Sequence, residues 1–62
     1  MLSPKQVVLK KYPHAYVERE GVKVHIRRPR TEDDLPALVG YVMMSSVWYT
    51  EEDAWREVAK GL

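Results

Sequence analysis

The sequence predicts a two-layer α+β domain of order α-β-β-β-α, in which two helices cover one face of a three-stranded antiparallel sheet. Three observations support this prediction. Helix-capping residues stand near both ends of the chain, at Ser3 and Thr50. Apolar and polar residues alternate over 15–27 around a glycine, which is typical of a β-hairpin. The mostly apolar segment 38–44 predicts a third strand. With 62 residues, the chain is expected to form one small domain, 1–62.

The first helix is predicted over residues 4–12. Ser3 is a favourable N-cap, Pro4 suits the first helical position, and Gln6 stands where a capping box places Glu or Gln. Pro13 is expected to end the helix, because the residue before a proline avoids the helical region.

The hairpin is predicted to turn at Glu20-Gly21, which places Val17 opposite Val24. Because side chains alternate along a strand, one face collects the small and β-branched residues. These are Ala15, Val17, Val22, Val24 and Ile26. This face is expected to pack against the helices.

The opposite face of the hairpin is predicted to stay open. It carries Tyr16, Glu18, Lys23, His25 and Arg27. In the predicted register Tyr16 lies opposite His25, and Glu18 lies opposite Lys23.

Residues 28–37 are predicted to form a loop, because Pro29 and Pro36 interrupt any regular element there. The strand predicted at 38–44 is apolar on both faces. Either helices cover one of these faces and a partner covers the other, or the strand is central in the sheet.

The last helix is predicted between Thr50 and Gly61. Thr50 is the N-cap, Asp53 completes a capping box, and Gly61 is a natural stop. Glu52 and Arg56 form a favourable pair four residues apart. One apolar stripe is predicted to face the sheet, formed by Ala54, Trp55, Val58, Ala59 and Leu62.

Composition excludes several classes of protein. A hydrophobic content of 45% with 31% charged residues is ordinary for a globular chain and argues against disorder. The longest uninterrupted apolar run, 41–44, is too short to cross a membrane, and the N-terminus lacks an apolar signal region. The absence of cysteine fits a reducing compartment. The sequence therefore predicts a cytoplasmic protein that has no membrane partner.

Charge is distributed unevenly along the chain. Residues 1–30 carry eight basic and two acidic side chains, a net charge of +6, whereas 31–62 carry two basic and seven acidic side chains, a net charge of −5. Either the two halves fold together and their charges cancel, or the charges segregate and steer a partner.

No residue pattern predicts catalysis. The two histidines, His14 and His25, belong to no metal-spaced group, and Ser45-Ser46 lacks the glycines of a nucleophile elbow. The three glycines are scattered and form no phosphate-binding loop. The sequence therefore predicts a protein that is not an enzyme, with no catalytic residues, metal, cofactor or small-molecule substrate.

The chain resembles two families. The element order, and the small-residue spacing of 50–62, resemble the double-stranded-RNA-binding domain. That family binds phosphates with lysines at the start of its last helix, whereas this chain carries Glu51, Glu52 and Asp53 there. An acidic helix start repels a phosphate backbone.

The chain also resembles small uncharacterised proteins of tailed phages. The segments that carry this resemblance are Lys11-Tyr12-Pro13-His14-Ala15 and, from Thr50 to Trp55, Thr-Glu-Glu-Asp-Ala-Trp. The resemblance implies a fold and a phage origin, and a phage-encoded chain is expected in the host cytoplasm. The resemblance implies no activity.

A cluster of large side chains predicts a protein-binding surface formed by Tyr41, Met43, Trp48 and Tyr49. Tyr, Trp and Met are enriched at the centres of interfaces. An exposed third strand would also allow pairing with a second copy. A structural interpretation stays open, in which Trp48 and Trp55 pack under the helices and Tyr41 covers an edge. The leading hypothesis is a protein-binding accessory or inhibitor of a host or phage protein.

The alternative hypothesis is a nucleic-acid-binding module. It would use the basic residues near the hairpin, which are Lys23, His25, Arg27, Arg28 and Arg30. Tyr16 and His25 would stack on bases between these cations. Glu18, Glu20 and a pI near 8 argue against this hypothesis.

Overall fold

The structure, a computed structural model, describes residues 1–30 and 40–62. Its elements are α1 (Pro4–Lys11), β1 (Tyr16–Glu20), β2 (Lys23–Pro29), β3 (Tyr41–Met43) and α2 (Glu51–Lys60). The sheet has the order β1-β2-β3, and both strand pairs are antiparallel. This is the predicted α+β fold, with β2 in the centre.

The core joins both helices to one face of β2. Its buried side chains are Val8, Ala15, Val24, Ile26, Ala54, Trp55 and Val58. Val24 and Ile26 are two residues apart on β2 and therefore share a face. Both helices thus pack on the same side of the sheet, as predicted. An ion pair between Arg19 of β1 and Glu51 of α2 links the basic and acidic halves of the chain.

Both helices begin at the predicted caps. In α1 the Gln6 amide donates to Ser3 Oγ at 3.2 Å and the Ser3 amide donates to Gln6 Oε1 at 2.8 Å, which completes the capping box. In α2 the Asp53 amide donates to Thr50 Oγ1 at 3.2 Å. A full capping box would also have the Asp53 carboxylate accept the Thr50 amide. Here that carboxylate accepts the Thr50 hydroxyl instead, at 2.9 Å.

The hairpin turns one residue later than predicted. Glu20 pairs with Lys23, so that Gly21 and Val22 form the two-residue turn. Gly21 has φ 63°, whereas no described residue other than glycine has a positive φ. A turn at Glu20-Gly21 would put Glu20 first, where hairpin turns require a positive φ that costs a residue with a Cβ about 1–2 kcal/mol. Placing Gly21 first avoids that cost.

The predicted cross-strand pairs are therefore wrong, although the faces are preserved. Val17 lies opposite Ile26, rather than opposite Val24, and Glu18 lies opposite His25. The register has shifted by two residues, and a shift of two leaves every strand side chain on its original face. Only Val22 loses its core position, because it lies in the turn and is exposed.

The predicted loop at 28–37 is wrong at its start, since β2 continues through Arg28 and Pro29. Pro29 lies opposite Tyr41. The next residue, Arg30, donates its amide to the Gly40 carbonyl at 3.2 Å, so Pro29 occupies a position of the ladder that forms no hydrogen bond with β3. Its nitrogen therefore points away from β3, and β1 does not extend far enough to lie beside it. No ladder bond is lost, which is the condition for proline in a strand.

The third strand is shorter than predicted. It spans Tyr41–Met43, and the Met44 amide extends the pairing by donating to the Ile26 carbonyl at 2.8 Å. The remainder of the predicted loop, from residue 31, and the first two residues of the predicted strand lie outside the described residues.

Replacing the turn glycine tests this register. We expect Gly21→Ala to lower the free energy of unfolding by about 1–2 kcal/mol, because alanine is strained at this positive φ. Gly61→Ala is the matched control, since Gly61 has φ −87° and an added Cβ would meet only ordinary contact. Urea denaturation at neutral pH measures both changes. A Gly61→Ala loss as large as that of Gly21→Ala would contradict the assignment.

Candidate binding site

A row of large side chains crosses the sheet on the side away from the helices. Strand pairing aligns Tyr16, Arg27 and Met43 in this row, and Tyr41 lies two residues from Met43 on the same face. We call Tyr16, Arg27, Tyr41 and Met43 the open face. Tyr41 and Met43 are 47% and 53% exposed and lie next to each other on this face, so that they form an exposed apolar patch.

Arg27 is held in place from two sides on the open face. Its Nε donates to His25 Nε2 at 2.7 Å. Its guanidinium carbon lies 3.9 Å from the centroid of the Tyr41 ring, which is a stacked cation–π contact. Among the described residues, its two terminal nitrogens have no hydrogen-bond partner. These N–H groups remain available to a ligand.

The sequence predicts that His25 lies open on this face, but the side chain is only 2% exposed. Arg27, two residues further along the strand, donates to its Nε2. An accepting Nε2 places the proton of the neutral ring on Nδ1, and Nδ1 is buried without a partner. The ring is therefore a support for Arg27 and has no free surface for stacking on a base.

The four residues of the predicted protein-binding surface lie in three places. Tyr41 and Met43 belong to the open face. Tyr49 is 72% exposed and lies near the hairpin turn, where the Lys23 ammonium is 5.8 Å from its ring centroid. Trp48 lies on the helix side of the sheet.

Two contacts fix the position of Trp48. It pairs with Val24 through two backbone hydrogen bonds of 2.7 and 2.8 Å, so its side chain lies on the same face as Val24. Its indole Nε1 donates to Glu57 Oε1 on α2 at 2.9 Å. Trp48 does not pack under the helices with Trp55, because it is 38% exposed while Trp55 is in the core.

Ser45 has a structural role that the sequence analysis missed. Val24 pairs with Trp48 and Ile26 bonds to Met44, so that one residue of β2 between these pairs faces three residues of the other segment. The two extra residues form a bulge. Ser45 Oγ accepts the Ile26 amide at 2.9 Å and thus replaces the missing backbone carbonyl. A serine pair within a loop gives no sequence signal for this role.

Glu57 fastens the bulge to α2. Its carboxylate accepts the Ser46 amide at 2.7 Å and the Trp48 indole at 2.9 Å. These bonds lower the pKa of Glu57 below 4.5, and the bond from the Ser46 amide has the largest effect. Slight burial of the carboxylate acts in the opposite direction.

The residues of the alternative nucleic-acid site are also separated. Lys23 lies at the hairpin turn, and Arg27 lies on the open face. Arg28 faces the helix side, where its guanidinium carbon is 5.1 Å from the Tyr12 ring centroid. Arg30 lies beyond the end of β2, in a cleft next to the C-terminal end of α1.

The described part of the chain contains no group of three or more His, Cys, Asp or Glu side chains that could hold a metal ion. Neither helix within 1–30 and 40–62 has the length and apolar character needed to cross a membrane. Comparison of the chain with protein-family models, curated proteins and solved structures gives no match.

Removing the Glu57 charge tests how the bulge is held. We expect Glu57→Gln to lower the free energy of unfolding by about 1 kcal/mol at pH 7, because each donor bonds to a different carboxylate oxygen and an amide has only one oxygen. The folded-state pKa of Glu57 is lowered, so its stabilisation is present above pH 4.5 and is lost as pH falls through the folded value. The difference between wild type and Glu57→Gln should therefore shrink below pH 4.5.

Urea denaturation across this pH range measures the effect. Glu20→Gln is the control, since Glu20 is exposed at the hairpin end and should change stability by less than about 0.5 kcal/mol. A Glu57→Gln effect that is independent of pH would contradict the role of the carboxylate.

Proposed function

We propose that this chain is a small non-enzymatic binding protein that docks onto another protein through the open face. In this proposal it is phage-encoded, acts in the host cytoplasm, and serves as an accessory or inhibitor of a host or phage protein. The phage origin and location rest on the sequence resemblance. The docking surface rests on the geometry of Arg27 and its neighbours.

The observation that carries the proposal is the preorganisation of Arg27. An arginine usually loses much rotamer freedom when it binds, and this loss weakens affinity. Here the stack on Tyr41 and the bond to buried His25 already restrict the side chain before a partner arrives. Arginine and tyrosine are also the residue types that most often dominate interface energies.

The chemistry of the open face defines the partner that would fit it. The free terminal nitrogens of Arg27 can bind a carboxylate through two parallel hydrogen bonds. Tyr16, Tyr41 and Met43 surround this cation with apolar area. We therefore expect a protein surface that presents an Asp or Glu side chain within an apolar patch.

The edge position of β3 adds a second means of attachment. The sheet ends at β3, and no described strand pairs with its outer side. A strand from a partner could add there through backbone hydrogen bonds, next to the exposed Tyr41 and Met43. A second copy of this chain could use the same edge, which makes a homodimer one outcome of the test below.

Nucleic-acid binding receives less support from the geometry. Its proposed stacking ring, His25, is buried. Lys23 and Arg27 are four residues apart on β2, which separates their backbones by about 13 Å. Glu18 lies opposite His25 on the same face, between these cations. A phosphate backbone would meet this carboxylate, whereas a single acidic side chain of a protein would meet Arg27 alone.

Binding assays with open-face variants test the proposal. The immobilised full chain is incubated with clarified host extract, and retained proteins are quantified by mass spectrometry and then purified for titration. We expect Tyr41→Ala and Arg27→Gln each to weaken binding of the purified partner by about thirtyfold, the effect of losing a central interface residue. Tyr49→Ala is the matched control, because Tyr49 is exposed but lies at the other end of the hairpin.

Circular dichroism melting checks that every variant is folded, and sedimentation of the free chain detects self-association. A dimer that Tyr41→Ala dissociates would identify the partner as a second copy. Equal recovery of the same proteins by wild type, Tyr41→Ala and Arg27→Gln would refute the open face as the docking surface.

A further inference from the structure

A second surface feature lies apart from the open face. A cleft of about 190 Å³ separates the end of α1 from the end of β2. Its lining residues are Lys11, Tyr12, Pro13, His14, Arg28, Pro29 and Arg30. None of them belongs to the open face, so this site is independent of the proposed docking surface.

The charges around the cleft have one sign. Among the described residues, its lining contains two arginines, a lysine and a histidine but no acidic side chain. Two of these cations approach the Tyr12 ring, with the Lys11 ammonium 5.7 Å and the Arg28 guanidinium carbon 5.1 Å from its centroid. Lys11, His14 and Arg30 line the same cleft, so the described residues give it a positive potential.

Arg30 gives the observation that points to a ligand. Both of its terminal nitrogens are buried and neither has a hydrogen-bond partner. A buried cation without a partner is costly, because it has lost its hydration and gained nothing in return. A rotation of the Arg30 side chain towards the cleft would bring these nitrogens to an anion bound there, and the anion would supply the missing acceptors. Arg28 already donates to the Pro29 carbonyl at 3.3 Å, so the inference rests on Arg30 and Lys11.

We infer that this cleft binds a phosphate group. Phosphate offers several acceptor oxygens and carries the negative charge that the cleft lacks, and a guanidinium can bind two of those oxygens at once. Lys11 would add a point charge, and the His14 ring would add an N–H donor. The phosphate could belong to a small phosphorylated molecule or to the end of a nucleic acid strand. The chemistry of recognition is the same in both cases.

Amide chemical-shift titration of the full ¹⁵N-labelled chain tests this site. One arm uses inorganic phosphate at constant ionic strength, with chloride as the reference anion, and the other uses a short 5′-phosphorylated oligothymidylate. We expect saturable shifts at Tyr12, His14 and Arg30. Lys11→Gln and Arg30→Gln should each weaken binding by at least about tenfold, because each removes a charge-assisted hydrogen bond.

Lys10→Gln is the matched control. Lys10 is the exposed neighbour of Lys11 on the same helix but does not line the cleft, so its loss should change affinity by less than about twofold. Saturation by inorganic phosphate would indicate a small phosphorylated ligand. Saturation by the oligothymidylate alone, weakened by Arg30→Gln, would indicate a nucleic acid end.

Three results would overturn the inference. They are the absence of saturable shifts in both arms, binding that neither Lys11→Gln nor Arg30→Gln weakens, and a Lys10→Gln effect equal to that of Lys11→Gln. Urea midpoints of the variants confirm that each is folded. The open-face variant Tyr41→Ala should bind phosphate like wild type, which separates this site from the proposed protein interface.

Discussion

The whole structure depends on the burial of one strand on both of its faces. Val24 and Ile26 of β2 are fully buried against the helices, and His25 between them is almost fully buried on the other side. A chain of this length without cysteine has few ways to assemble a core. Here β2 supports β1 and β3 along its two edges, and Trp48 and Ser45 also bond to its backbone.

The same strand distributes three nearby arginines between two surfaces. Because side chains alternate along a strand, Arg27 faces the side away from the helices and Arg28 faces the helix side. Arg30, beyond the end of β2, lines the cleft next to α1. A basic cluster of residues close in sequence is therefore divided between two surfaces in the structure. Each surface combines an arginine with a tyrosine, which is Tyr41 on the open face and Tyr12 in the cleft.

Several features of the candidate sites could be predicted, and others required long-range contacts. The residue types of Tyr41 and Met43 predict exposed side chains, and both are exposed. The burial of His25 was not predictable, because the alternation of the hairpin assigns it to a face without saying what covers it. The sequence predicts Trp48 on the same surface as Tyr41, whereas its pairing with Val24, after the bulge at Ser45, places it on the helix side. Serine pairs occur in too many loops to indicate such a bulge.

Local sequence signals predict the element types, their order and the faces of the hairpin residues. These follow from local signals, namely the capping residue Ser3, the N-cap Thr50 and the two-residue alternation around Gly21. The hairpin register depends on the positive φ that Gly21 adopts, which alternation alone does not specify. The stack of Arg27 on Tyr41 and the bonds of Glu57 to Ser46 and Trp48 lie beyond such local signals. Caps and alternation involve residues at most a few positions apart, whereas these contacts join separate elements and form only when the elements pack together.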